Sequence, residues 1–314
     1  MYFPYLRGKQ YELISLRELS EQMSETGIIH PIIEPVKETT STLRITCEQL
    51  VDAEVSFTLI LNPSVGDLKG SLGEIIHFIN EEVGDYEQLH LGVLIHSNTD
   101  FVSLNQSLTE LEYNYPFTIV HLSQYPDTDS LSDFYNDKTV HFNLFRDPNL
   151  VRRYRRYRSI INQNTKVILS DPFNSKPTNA DYAKDPDEFF TDEHNFYHED
   201  GFIGFSDYLT IGEDFSDSGF APYAVTIHLT YLRDDDQIWI RHFVSDSNED
   251  YSDVPGTYKE ALDKLIPFIN EHNLRSSACN EFRRQHETGH YPGLGSVKKL
   301  SIIHHIELII GVLN

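Results

Sequence analysis

The stretch MYFPYLRGKQYELISLRELSEQMSETGIIHPIIEPVK, residues 1–37, decides the fold. Tyr2-Phe3-Pro4-Tyr5-Leu6 reads as a short strand. From about Gln10 to Glu25 the residues Leu13, Leu16, Leu19 and Met23 recur on one face at the helical period. Ile32-Ile33, running on to Val36, reads as a second strand. The first strand runs out into Arg7-Gly8-Lys9 and the second into Glu34. If this strand–helix unit repeats around a closed parallel sheet, those charges gather at the carboxyl-end rim, where barrel proteins bind and react.

The unit does repeat along the chain. Apolar runs at Phe57–Leu61, Leu89–Ile95, Phe117–Leu122, Val140–Phe145, Lys166–Leu169 and Gly201–Phe205 bring the strand count to eight. Helical spacing falls between them at Leu72–Glu82, Leu104–Tyr113 and Leu150–Asn162, with a polar helix candidate at Thr39–Val51. Proline follows Glu34, Asn62 and Asp171, and a proline cannot donate to a sheet ladder, so strands end there. No GxGxxG follows the first strand, which weakens the rival doubly wound sheet. The expected fold is α/β, a (β/α)8 TIM-like barrel forming a single barrel-like domain over 1–314. A β-hairpin insertion is expected over 210–250, from the alternation in Ala224–Tyr231 and Gln237–Phe243, and closing helices over 257–313. Asn174–Asp200 reads as an acidic linker with no more than a short helix near Asp187–Phe190.

The net charge of −24, from 49 acidic against 25 basic residues, argues against a general binder of nucleic-acid backbones. It is compatible with a small local cationic site and with a cationic protein partner. Cys47 and Cys279 are the two cysteines and form no CxxC, so neither a disulfide scaffold nor a thiolate metal site is indicated. The N-terminus lacks a basic segment followed by an apolar one, and no apolar run reaches membrane-spanning length. A cytoplasmic protein away from the membrane is expected.

The residues just past the strands are Arg7, Lys9, Glu34, Asn62, His96, His121, Asp171 and Asp207. Ring closure would set Asp171 and Asp207 beside Arg7 and Lys9. Such a rim is either a balanced ion-pair network or a pocket. In the pocket reading Arg7, Lys9 and Asn62 hold an anionic, phosphorylated small ligand, and Glu34, Asp171 and Asp207 serve as acid and base for hydrolysing a phosphodiester. The same carboxylates would suit Mg²⁺, a hard cation that takes oxygen ligands. In the tail, Gly293 and Gly295 precede a helix start at Ser296, placing free backbone N–H groups beside Lys298 and Lys299 as a further anion site. Arg152, Arg153, Arg155, Arg156 and Arg158 form a cationic ridge that pairs with the protein's own carboxylates or recognises nucleic acid. His286 and His290 are four apart, but Gly289 argues against a helix there; they also lie downstream of Cys279 as partners for a Cys–His pair. HExxH and Gly-x-Ser-x-Gly are absent.

Leu6-Arg7-Gly8 is similar to the His-Arg-Gly that opens glycerophosphodiester phosphodiesterase barrels. Leu6 replaces that family's histidine, and Pro35 and Val36 follow Glu34 where a second acid belongs. Tyr2 through Gln10, Ile33-Glu34-Pro35-Val36, Gly289 through Gly295 and Lys299 through Glu307 resemble the bacterial and phage "beta protein" family, over essentially the whole chain. That resemblance implies no settled substrate and transfers no catalytic set. It implies an alternative role as a non-catalytic component of a phage-defence or toxin-like system.

Overall fold

The computed structural model describes residues 1–216, 223–248 and 252–314; parts of the expected 210–250 insertion lie outside the described residues. The chain divides into two compact units, Met1–Ser170 with Asn195–Asp207, and Asp171–His194 with Tyr208–Asn314.

The first unit is a parallel β/α barrel. Its strands are β1 (Tyr5–Leu6), β2 (Ile32–Ile33), β3 (Phe57–Ile60), β4 (Leu89–Ile95), β5 (Phe117–His121), β6 (Val140–Phe145) and β7 (Lys166–Ser170). The chain then leaves for β8 (Asp187–Thr191) in the second unit and returns as β9 (Gly204–Asp207), which pairs with β7. Order β1-β2-β3-β4-β5-β6-β7-β9 makes eight strands. A parallel bridge between Tyr2 and Phe205 closes the ring, with Phe3 N donating to the Phe205 carbonyl at 2.9 Å. The barrel helices are α1 (Gln10–Thr26), α2 (Ser41–Asp52), α3 (Leu72–Phe78, continued by a π turn to Val83), α4 (Phe101–Leu108), α5 (Thr128–Asp137) and a broken pair, α6 (Leu150–Arg153) and α7 (Arg155–Ile160). The one helix expected over 150–162 is interrupted at Tyr154, whose backbone is extended.

Period-2 alternation sorts the strand residues between the interior and the helix-covered face. Phe3, Tyr5 and Arg7 share the interior with His30, Ile32 and Glu34, and with His90, Gly92, Leu94 and His96. Thr58 of β3 and Thr118 of β5 hydrogen-bond at 2.9 Å across the intervening β4, which only the concave side of a sheet allows. Gly92 lies between them; a Cβ there would come within 2.3 Å of Ile60 Cδ1 and 2.8 Å of Thr58 Cγ2. At the amino-end floor a polar chain runs from Ser56 through His30, Thr58 and Thr118 to His90.

The second unit holds an antiparallel sheet of β10 (Thr226–Leu232), β11 (Ile238–Val244) and β8, in the order β10-β11-β8. The hairpin of β10 and β11 matches the expected alternation. The segment 187–190, read as a short helix, is instead β8, because the free side of β11 supplies it with a ladder partner: Trp239 faces Phe189 and Ile240 faces Glu188. A one-turn α8 (Glu193–Phe196) follows β8. The helices expected to close the barrel are α9 (Val254–Glu271), α10 (Ser277–Thr288) and α11 (Leu294–Leu313), all within the second unit. There α11 packs on β10, and α9 packs on β10 and β11. Gly289 ends α10 in the left-handed conformation at φ 66°, so His286 is helical after all while His290 lies beyond the cap.

Candidate functional site

The carboxyl-end mouth of the barrel is organised on Glu34. The carboxylate is fully buried at 0% exposure and forms an ion pair with Arg7. One oxygen, Oε2, also accepts from the Tyr5 hydroxyl at 2.7 Å; the other, Oε1, accepts from Ser64 N at 2.7 Å and Ser64 Oγ at 2.9 Å. A carboxylate offers about four lone-pair sites, so these four donors saturate it. Gly8 makes the geometry accessible. It turns the chain at φ 61°, and a Cβ on it would stand 2.9 Å from the Glu34 carbonyl oxygen. Glu12 of α1 then accepts from Arg7 N at 2.7 Å, fixing the turn, and Lys9 opens α1 as its N-cap residue, half-exposed.

His96 follows β4 on the same interior face. Burial holds its pKa below the ordinary histidine value; Glu34 pulls it up, while Lys69 and Arg146 push it down. One carboxylate and two cations therefore lie within electrostatic reach of one half-buried imidazole. Lys69 and Arg146 are exposed.

The other expected residues have partners of their own. Asn62 contributes no ligand-facing amide: its side chain donates to the Leu94 carbonyl at 2.8 Å and accepts from Leu94 N at 2.8 Å, extending the β3–β4 ladder. Asp207 lies on the opposite face from the mouth residues, since Gly204 points at the Phe3 ring inside the barrel and alternation sends Phe205 and Asp207 the other way. There Asp207 is buried and accepts from the Tyr2 hydroxyl at 2.6 Å; burial and Asp207 together raise the Tyr2 pKa well above its ordinary value. His121 likewise faces outward, stacked on Phe145 at 4.5 Å and bonded to Tyr135 and Asn143, with burial lowering its pKa to about 4. Asp171 belongs to the second unit, where its Oδ2 accepts from Glu213 N at 3.0 Å. Lys298 and Lys299 stand in the first turns of α11, also in the second unit, with Lys299 near Glu281. Of the expected set, Arg7 and Glu34 pair directly, and Asp207 faces the other side of the sheet.

Glu34 is saturated, and among the described residues no group of three or more His, Cys, Asp or Glu side chains could hold a metal ion. The Mg²⁺ reading therefore has no matching donor set there. On the ridge, Arg153 pairs with Asp147 at 3.2 Å, Arg156 with Asp129, and Arg152 more loosely with Asp200 at 3.9 Å. Cys279 meets neither His286 nor His290. It packs 3.4 Å from His304 Nδ1, fully buried, and burial raises its thiol pKa. Among the described residues no helix is long and apolar enough to cross a membrane.

Sequence reasoning missed Ser64, Tyr5, Lys69 and Arg146. Arg146 was visible as the charge ending the sixth apolar run; Lys69 comes from a loop with no periodic signal.

No family model and no curated protein matches the chain. Among solved structures, it is similar to the endo-beta-1,4-mannanase from Thermotoga petrophila, at 11% identity and TM-score 0.37, covering 71% of each chain. It is similar too to the Bacillus cereus spore cortex-lytic enzyme SleL, at 11% identity and TM-score 0.35, covering 87% of this chain and 68% of that one. Likenesses this distant carry no argument about what the barrel binds or does.

Proposed function

We propose that the barrel mouth binds a small anionic ligand, phosphorylated in the simplest case. Lys69, Arg146 and His96 meet its charge, and the Arg7–Glu34 pair fixes their setting. One observation carries the reading: His96 sits at the carboxyl ends of the strands within reach of Lys69, Arg146 and Glu34. In a chain of net charge −24, two cations against one carboxylate acting on His96 is a local reversal of sign, and such a reversal attracts anions.

Hydrolysis of a phosphodiester is the finer form of this proposal. Glu34, with all four lone-pair sites occupied, is an orienting group rather than a carrier of protons. The proton acceptor is then His96, whose lowered pKa leaves the imidazole neutral at pH 7.

Calorimetric titration with inorganic phosphate and glycerol 3-phosphate tests the binding step. Each charge-assisted contact contributes about 1.5–3 kcal/mol, so Lys69→Ala with Arg146→Ala should weaken binding by at least about a hundredfold. Protonation of His96, which burial pushes below the ordinary histidine range, should add to the affinity as the pH falls. No binding by the unaltered chain, or equal binding by the double variant, ends the proposal. Release of nitrophenol from bis(p-nitrophenyl) phosphate, absent in His96→Ala, tests the hydrolytic form.

A further inference from the structure

A line of polar side chains crosses one face of the three-stranded sheet in the second unit. Glu188 of β8, His242 of β11 and His228 of β10 follow one another in the order of the strands. His242 Nε2 lies 3.1 Å from Glu188 Oε2, and His242 Nδ1 lies 2.8 Å from His228 Nδ1. Behind the carboxylate, Lys176 Nζ donates to Glu188 Oε1 at 3.0 Å and Asn174 Nδ2 donates to the same oxygen at 2.9 Å. Tyr182 packs against both imidazoles, with ring centroids 4.7 and 4.6 Å away, and Phe173 meets His228 edge-on at 5.1 Å.

The hydrogen-bond inventory of these groups fixes every proton in the line. Glu188 is ionised at neutral pH; burial works against this, but the hydrogen bonds from Lys176, Asn174 and His242 outweigh it and lower its pKa. An ionised carboxylate only accepts, so the proton between it and His242 belongs to His242 Nε2. Burial keeps His242 neutral, which leaves its Nδ1 bare. The single proton between the two Nδ1 atoms therefore belongs to His228. A neutral His228 protonated at Nδ1 has an unprotonated Nε2. Among the described residues no hydrogen bond to His228 Nε2 is formed; residue 228 as a whole is half-buried where His242 is 4% exposed, and burial, with His242 beside it, holds the His228 pKa well below the ordinary histidine value.

We propose that Glu188, His242 and His228 form a proton relay that presents His228 Nε2 as a general base for a hydroxyl group, water or an alcohol, bound against the second unit. The O–H proton passes to His228 Nε2. The imidazolium so formed donates its Nδ1 proton toward His242, and the carboxylate of Glu188 at the far end balances the charge. A carboxylate orienting an imidazole that takes a hydroxyl proton is the logic of nucleophile activation in general, here lengthened by one ring. His228 is the group that meets the ligand; His242 and Glu188 position it.

The relay can be reversed by one atom. In Glu188→Gln the amide oxygen stays toward Lys176 and Asn174, which are both donors, so the amide NH2 turns to His242 Nε2. His242 must then bare Nε2 and carry its proton on Nδ1. That forces His228 to accept at Nδ1 and to hold its proton on Nε2. Long-range ¹H–¹⁵N correlation spectra of histidine-labelled protein read these tautomers directly. The expected result is an Nδ1–H tautomer at His228 in the unaltered protein, switching to Nε2–H in E188Q. In parallel, carbethoxylation of His228 by diethyl pyrocarbonate, read by peptide mass spectrometry, should be lost in E188Q while the exposed His290 reacts as before. An Nε2–H tautomer at His228 in the unaltered protein overturns the proposal, and that measurement needs no variant to fold. A tautomer unchanged in E188Q overturns it as well.

Discussion

The fate of single residues depends on which partners saturate them. Glu34 illustrates the strongest case: Arg7, Tyr5 and Ser64 all spend their donors on it, and none of these elements is covalently near another except Tyr5 and Arg7. Glu34→Ala removes the acceptor that the buried Arg7 and the Tyr5 hydroxyl share. Breaking a buried pair from one side costs about 3–5 kcal/mol, and urea denaturation should show that loss. Glu34→Gln keeps an acceptor for Tyr5 or Ser64 and should cost less. The sequence marked Arg7 and Glu34 as rim residues because charge directly after an apolar strand is a local signal. It could not mark Tyr5, which looks like one more apolar-strand aromatic until a carboxylate from the next strand reaches its hydroxyl. Asp207 was misplaced for a different reason. A charge after an apolar run marks position along the barrel but not face: β9 runs to Asp207, and alternation from the inward-facing Gly204 turns Asp207 outward.

At the scale of elements, the barrel strands were legible because parallel strands covered on both faces read as unbroken apolar runs, and Leu89–Ile95 and Phe117–His121 are buried throughout. β8 was not. Asp-Glu-Phe-Phe-Thr carries two acids in five positions, and its extended form is set by pairing with β11, some fifty residues later in the chain. Long-range pairing of this kind leaves no local periodicity to read. The break at Tyr154 was equally silent, since arginine is a good helix former on either side of it. Two glycine substitutions test how far local preference and packing differ. Gly92→Ala places a methyl group 2.3 Å from Ile60 Cδ1 inside the closed barrel and should destabilise by about 1–3 kcal/mol. Gly73→Ala, in the first turn of α3 with nothing within 4 Å of the added Cβ, should stabilise by about 0.5–1 kcal/mol. Both follow from midpoints of chemical denaturation at pH 7.5. Equal effects of the two would mean that Gly92 is not constrained by β3.

Over the whole molecule, the histidines set the response to acid. Fifteen are present, and several are buried and held neutral. Burial lowers the pKa of His90 to about 3, and of His121 and His304 to about 4. In the unfolded chain each returns to about 6.5. Between those values the unfolded state binds a proton that the folded state refuses, so stability is fully present above about pH 6.5 and falls as the pH drops toward the folded values. Each such group contributes about 1.4 kcal/mol per pH unit across its window. The interval from pH 6.5 to 5 isolates this effect, because exposed carboxylates with reference values near 4 remain ionised through it. His304 allows a local test. Its Nε2 donates to the Thr230 carbonyl of β10 at 2.7 Å, and the one tryptophan, Trp239, sits on the adjacent β11 and reports the same sheet. Urea midpoints followed by Trp239 fluorescence should fall steadily from pH 6.5 to 5 in the unaltered protein. His304→Gln should start lower at pH 7.5, having lost a well-packed imidazole, and then fall with a shallower slope, since glutamine takes up no proton. A slope identical to that of the unaltered protein would place the acid sensitivity of this sheet elsewhere, with His228 and His242 the next groups to vary.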